Sequence, residues 1–124
     1  MLDIVALDHI QLAMPKGQEE KARHFYGEVL RFVEVAKPGP LVSRGGCWFT
    51  HNGIHLHLGV MPDFTPATKA HPAFRVADLE AARQRCLDAN IQIKPDDTLP
   101  HVRRFYINDP FGNRIEFIQD GDNF

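Results

Sequence analysis

Cysteine is scarce in this chain. Cys47 and Cys86 are the only two among 124 residues, and no CxxC spacing joins them. That argues against a disulfide and leaves two isolated buried thiols as the expectation. Basic charge is equally short. Fourteen Lys and Arg stand against sixteen Asp and Glu and are spread along the chain, so the basic stripe of a nucleic-acid binder is missing. No apolar run approaches the ~18 residues that a membrane span needs. The first residues, MLDIVALDHIQLAM, have no basic n-region and carry Asp3 and Asp8, unlike a signal peptide. These absences predict a soluble, cytoplasmic protein that contacts neither membrane nor nucleic acid. The length fits one domain, residues 1–124, able to bury its own core.

Histidine, by contrast, is plentiful: seven residues, several at alternating positions in strand-like segments. Residues 4–14 alternate as a strand, with Ile10 and Leu12 on one face and His9 and Gln11 on the other. Residues 18–32 repeat Ala22, Phe25, Val29 and Phe32 at helical spacing. Short strands are predicted at 41–44 and 47–50. Asn52-Gly53 signals a hairpin into a strand at 54–60, where His55 and His57 share the face opposite the aliphatic residues.

The pattern then restarts. A strand is predicted at 71–76 and a helix at 78–89, with Asp78 as its cap. Strands follow at 91–94, 102–107 and 114–119, the last two joined by the turn Asn108-Asp109-Pro110-Phe111-Gly112-Asn113. The chain therefore reads as an internal repeat of two β-α-β-β-β modules, one at about 1–61 and one at about 70–120. The expected fold is α+β, with the modules forming a curved mixed sheet.

Aligning the modules places His9 on His71 and His57 on Glu116. Four polar side chains thus occupy the first and last strands of each repeat, opposite the large aliphatics. Imidazole and carboxylate suit a divalent ion, Fe, Zn, Mn, Ni or Co, and two His with one Glu leave positions open for water or substrate. A single strand histidine is usually only a surface or hydrogen-bonded residue. The coincidence across two modules is what favours the metal reading, with His9, His71 and Glu116 as its centre and His57 or its neighbour His55 as the fourth group.

Three segments carry a resemblance: Asp8-His9-Ile10-Gln11-Leu12, Ala22-Arg23-His24-Phe25-Tyr26-Gly27-Glu28-Val29-Leu30, and residues 105–117 with their DPxGN turn followed by Glu116. Together they resemble the vicinal oxygen chelate superfamily, which contains glyoxalase I, bleomycin-resistance proteins, fosfomycin-resistance enzymes and extradiol dioxygenases. The resemblance implies a glyoxalase-like fold and metal ligands at His9, His57, His71 and Glu116. It implies bidentate chelation of a small substrate through neighbouring oxygens, by a glyoxalase-type lyase or isomerase or by a ring-cleaving dioxygenase. Glyoxalase I generally carries a carboxylate where His57 stands, so the chain departs from that member. The alternative is a bleomycin-resistance-like protein that sequesters a small molecule, although such members usually lack the ligands.

Beyond the ligands, His55 is a candidate general base, because imidazole titrates near neutrality. Arg104 is a candidate for holding an anionic substrate, and Trp48 and Tyr106 for lining an aromatic pocket. No separate organic cofactor site is expected. Small members of the resembled family commonly dimerise. A homodimer is therefore expected, and His9 of one chain would join His71 and Glu116 of the other if modules pair between chains.

Overall fold

A computed structural model describes residues 1–124, which divide into two compact units, Met1–Phe64 and Thr65–Phe124.

The first unit opens with β1 (Ile10–Met14) and helix α1 (Glu19–Ala22), which runs on as a π-helical stretch, Arg23–Val29. Strand β2 (Val33–Val35), a 3-10 turn (Gly39–Arg44), β3 (Cys47–His51) and β4 (Ile54–Val60) complete it. The wider winding is visible in the bond from the Leu30 amide to the Phe25 carbonyl, 2.9 Å and five residues apart. The strand order is β1-β4-β3-β2, with β1 parallel to β4 and the other pairs antiparallel. Met14, Tyr26, Phe49, Leu56 and Leu58 are sealed from solvent. Each contributes on the order of 1.5–3 kcal/mol of apolar burial, as an upper bound. Asn52 and Gly53 both have positive φ, the conformation a tight hairpin between β3 and β4 requires. Gly46 also has positive φ, and a Cβ there would run into the Leu58 carbonyl.

Three expectations shift here, each for a local reason. Strand β1 starts only at Ile10. Its register pairs Ile10 with Leu56, so extending it backward brings Leu7 opposite Gly53, in the hairpin turn, where the ladder ends. The segment 41–44 is a 3-10 turn instead of a strand, because Pro38 and Pro40 hold φ near the helical value at its start. Val33 and Val35, both β-branched, form the edge strand β2 in a stretch after residue 32 for which the sequence predicted no element.

The second unit repeats the order: β5 (Ala73–Val76), α2 (Leu79–Asp88), β6 (Lys94–Pro95), β7 (Arg104–Asn108) and β8 (Arg114–Gln119), arranged β5-β8-β7-β6. Asp78 caps α2 by accepting the Ala81 amide at 3.1 Å, which is worth about 1 kcal/mol. Strand β6 shrinks to two residues because the Ile91 amide bonds the Cys86 carbonyl at 2.9 Å, closing the helix end instead of entering a ladder. Val102, Phe105, Ile107 and Ile115 form the core. Both cysteines are free and buried. No helix is long and apolar enough to cross a membrane.

The curved mixed sheet expected from the sequence is corrected by the strand pairing. The eight strands separate into two four-stranded sheets, and neither curls round to close. Closure would need edge strands able to bond a further ladder. The edges β2 and β6 are only three and two residues long, and Pro95 in β6 has no amide proton to donate.

Candidate functional site

The two units place equivalent residues in equivalent rows. In the first sheet, Gln11, His57, Trp48 and Val35 are cross-strand neighbours. In the second, the same row reads Ala73, Glu116, Tyr106 and Lys94. His57 and Glu116 therefore occupy the same place in the repeat, each with an aromatic residue on the next strand. His9 and His71 each lie two residues before the row.

In the first unit these residues form a ring stack. His57 is buried and lies flat on Trp48, with centroids 3.8 Å apart and planes within 1°. His9 covers its other side at 4.3 Å and 20°. Burial, with His9 adding to it, holds the His57 imidazole below its usual value. Asp8 lies 2.8 Å from His9 Nδ1, and this contact holds the Asp8 carboxyl below the usual carboxylate range. His55 shares the strand face of His57 but stands exposed.

In the second unit the residues form a hydrogen-bonded polar cluster. His71 Nδ1 donates to the Lys69 carbonyl at 2.8 Å, which commits that nitrogen as the donor. Nε2 then faces Glu116 Oε1 at 2.9 Å. In the neutral tautomer two acceptors meet there, so the contact calls for a proton or a cation between them. The other Glu116 oxygen accepts from Arg104 at 3.3 Å, and Arg104 also reaches Asp96 at 3.2 Å and the Tyr106 hydroxyl at 3.1 Å. Arg104 Nε is buried without a partner. Burial, reinforced by Glu116, pushes the Tyr106 phenol up against the pull of Arg104 and Arg114, so the hydroxyl keeps its proton.

The DPxGN turn holds this cluster in place. Asp109 Oδ1 accepts the Phe111 and Asn113 amides at 2.9 and 2.8 Å, and Asn113 Nδ2 donates to Asp109 Oδ2 at 2.9 Å. The Asn113 side-chain carbonyl accepts the Ala67 amide at 3.0 Å, and the Arg114 amide bonds the Ala67 carbonyl. The chain leading to His71 is thus pinned to the strand that carries Glu116.

The two pairs differ in their fitness for a metal. Two donors about 2.1 Å from one ion, at right angles, stand about 3 Å apart. His71 Nε2 and Glu116 Oε1 have that spacing. The lone pairs of His9 and His57 lie in nearly parallel ring planes, so stacked as they are these rings do not converge on one ion. No group of three or more His, Cys, Asp or Glu side chains gathers at a common point.

Sequence reasoning missed Asp8, Asp96 and Arg114. The period of two along β8 was the available signal for Arg114, which lies on the face of Glu116. It also missed an open cleft of about 540 Å³ in the first unit, lined by Glu19, Arg23, Glu34, Lys37 and Gly46 among others. The charges there are engaged: Arg23 with Glu34 and Glu20, Glu19 with the Gly46 amide, and Lys37 with the Gly45 carbonyl.

The comparisons agree with this architecture. Residues 6–117 match the model of the glyoxalase/bleomycin resistance protein/dioxygenase superfamily. Among solved structures, a glyoxalase-family protein from Bacillus anthracis is 45% identical, with 96% of this chain and 98% of that chain covered and a TM-score of 0.91. An antibiotic binding protein from Streptomyces sp. CB03234 is 24% identical over 96% and 98%, with a TM-score of 0.73. The fosfomycin resistance protein FosX from Listeria monocytogenes is 17% identical over 98% and 96%, with a TM-score of 0.76. A search of curated proteins finds no match. The superfamily spans metal-dependent enzymes and small-molecule binding proteins, and this architecture accommodates both. The chain belongs to the glyoxalase/bleomycin resistance protein/dioxygenase superfamily.

Proposed function

We propose that the chain binds and sequesters a small molecule with neighbouring oxygen atoms, seated on the polar face of the second unit. One observation carries this reading. His71, Glu116, Arg104 and Tyr106 already hold one another in a hydrogen-bonded cluster, with donors and an acceptor fixed side by side. A preformed polar cluster orients a ligand at little entropic cost. The Tyr106 hydroxyl accepts from Arg104 and keeps its own proton for a ligand oxygen.

A second reading, a divalent-metal-dependent lyase, isomerase or dioxygenase, is favoured by the fixed His71 tautomer and the His71–Glu116 spacing. In it His71 and Glu116 hold the ion, Fe, Zn, Mn, Ni or Co, and the ion supplies Lewis-acid stabilisation of an anionic oxygen. His9 and His57 are further candidate ligands only in rotamers that leave their present stack, with His55 the candidate general base and Trp48 an aromatic lining residue.

The two readings separate in one experiment. Thermal-shift screening of small oxygen-rich compounds, with and without EDTA, should find stabilisation that survives EDTA and disappears in His71→Ala. Stabilisation that vanishes with EDTA, together with metal in the purified protein, would instead support the enzyme.

The proposal includes a cytoplasmic homodimer. Leu2, Ile4, Val5 and Leu7 are between 78% and 95% exposed, ahead of the point where β1 finds its partner. Apolar residues stand on both faces of this segment, the pattern of a strand covered on both sides, and a second copy of the chain would supply that cover.

A further inference from the structure

We propose that Arg114 anchors an anionic group of the ligand, a carboxylate or phosphoryl oxygen set, beside Glu116 and Tyr106. The inference rests on the reading of the second unit's polar face as the ligand site, and names the chemical class that site selects.

The placement follows from strand register. Antiparallel pairing sets Arg114 opposite Asn108 and Glu116 opposite Tyr106, so Arg114, Glu116 and Tyr106 project from one face of β7 and β8. The Arg114 guanidinium lies 3.8 Å from the centre of the Tyr106 ring. That stack steadies a long side chain without using any of its five N–H donors.

The other arginines of this unit are engaged. Arg104 faces Asp96, Glu116 and the Tyr106 hydroxyl. Arg103 makes a two-pronged pair with Asp122, at 3.0 Å on each prong, and Arg75 donates to the Asp122 carbonyl. Arg114 has neither a carboxylate at ion-pair distance nor a hydrogen-bond acceptor, although it is only half exposed. The two carboxylates of the cluster are both answered by Arg104, and Glu116 by His71 as well. What remains is a steadied planar fork with free donors next to the Tyr106 hydroxyl. A planar fork of N–H groups matches two oxygens of a carboxylate or phosphoryl group, and the Tyr106 O–H can reach a third acceptor or share one of them.

The test uses the full chain after EDTA treatment, with inorganic phosphate and acetate as probes and catechol as a neutral vicinal-oxygen control. Amide chemical-shift titrations at low salt read both affinity and location. The expected result is shifts centred on Tyr106, Arg114 and Glu116 with at least one anion. Arg114→Gln should weaken that binding by about tenfold or more. Arg114→Met, which keeps the stem against the Tyr106 ring, should give the same loss and guards against misfolding of the first variant. Anion affinity within about twofold of the parent in both variants, or shifts centred on Arg75 and Arg103, would overturn the proposal. If anions ignore the substitutions while catechol still perturbs His71 and Glu116, the anion anchor falls and the ligand face stands. If no probe touches this face, both fall.

Discussion

His71 Nε2 and Glu116 Oε1 meet at 2.9 Å although 45 residues separate them in the chain. The meeting is made by backbone. The Glu116 amide bonds the Pro72 carbonyl at 3.0 Å, and the Asn113 side chain and Arg114 amide both bond Ala67. Strand β8 therefore carries Glu116 and at the same time grips the segment that presents His71.

The DPxGN turn should accordingly be structural and functional at once. Asn113→Ala removes the buried bond to Asp109 and takes the acceptor from the part-buried Ala67 amide. It is expected to cost about 1–3 kcal/mol in urea unfolding, the usual cost of leaving a buried polar group without its partner. Ligand binding should weaken with it. Asp109→Asn keeps the shape of the side chain but exchanges an acceptor for a donor, and should be nearly as damaging.

That turn also shows how much of the molecule was legible in the sequence. The repeat, the hairpin at Asn52-Gly53, the Asp78 cap and the strand at 114–119 rest on local chemistry, which a linear reading registers. The sheet arrangement does not, because edge pairing is decided by strand length and by where a ladder runs out. Nor does the difference between the two histidine pairs. His57 and Glu116 occupy one place in the repeat, yet the first is stacked between His9 and Trp48 and the second is hydrogen-bonded to His71 and Arg104. Rotamers and neighbours across the sheet decide that outcome. Arg114 went unnoticed because its significance depends on Arg104 taking both carboxylates.

His57 should make the stability depend on pH. Burial, then His9, depress its folded value below the usual one of about 6.5. Above that pH both folded and unfolded chains carry it neutral, and its contribution is complete. As pH falls below about 6.5 the unfolded chain takes up the proton first, so stability declines until pH passes the folded value. Urea midpoints measured from pH 7.5 to 5 should fall further for the parent than for His57→Phe, which keeps a ring in the stack but does not titrate. Parallel curves would remove His57 from the account.

The thiols should be silent in the folded protein. Burial pushes Cys47 up to about 11 and raises Cys86 as well. A colorimetric thiol reagent at pH 8 should therefore react with neither residue until denaturant is added, and then with both. Rapid reaction of one thiol in the native state would show that its cover opens.

Deleting residues 1–7 should separate assembly from folding. These residues lie beyond the end of the β1–β4 ladder, so their removal leaves the sheet intact. Light scattering should report a dimer for the full chain and a folded monomer for the truncated one. An unchanged dimer would assign the interface elsewhere.

The account stands most directly on where a ligand lies, and a structure of the protein with a compound recovered from the thermal-shift screen reads that position. The compound should touch Glu116 and Tyr106 within hydrogen-bonding distance, with Arg114 against its charged end if it has one. Density for the compound in the cleft between Glu19, Arg23 and Lys37, with the His71–Glu116 contact undisturbed, would contradict it.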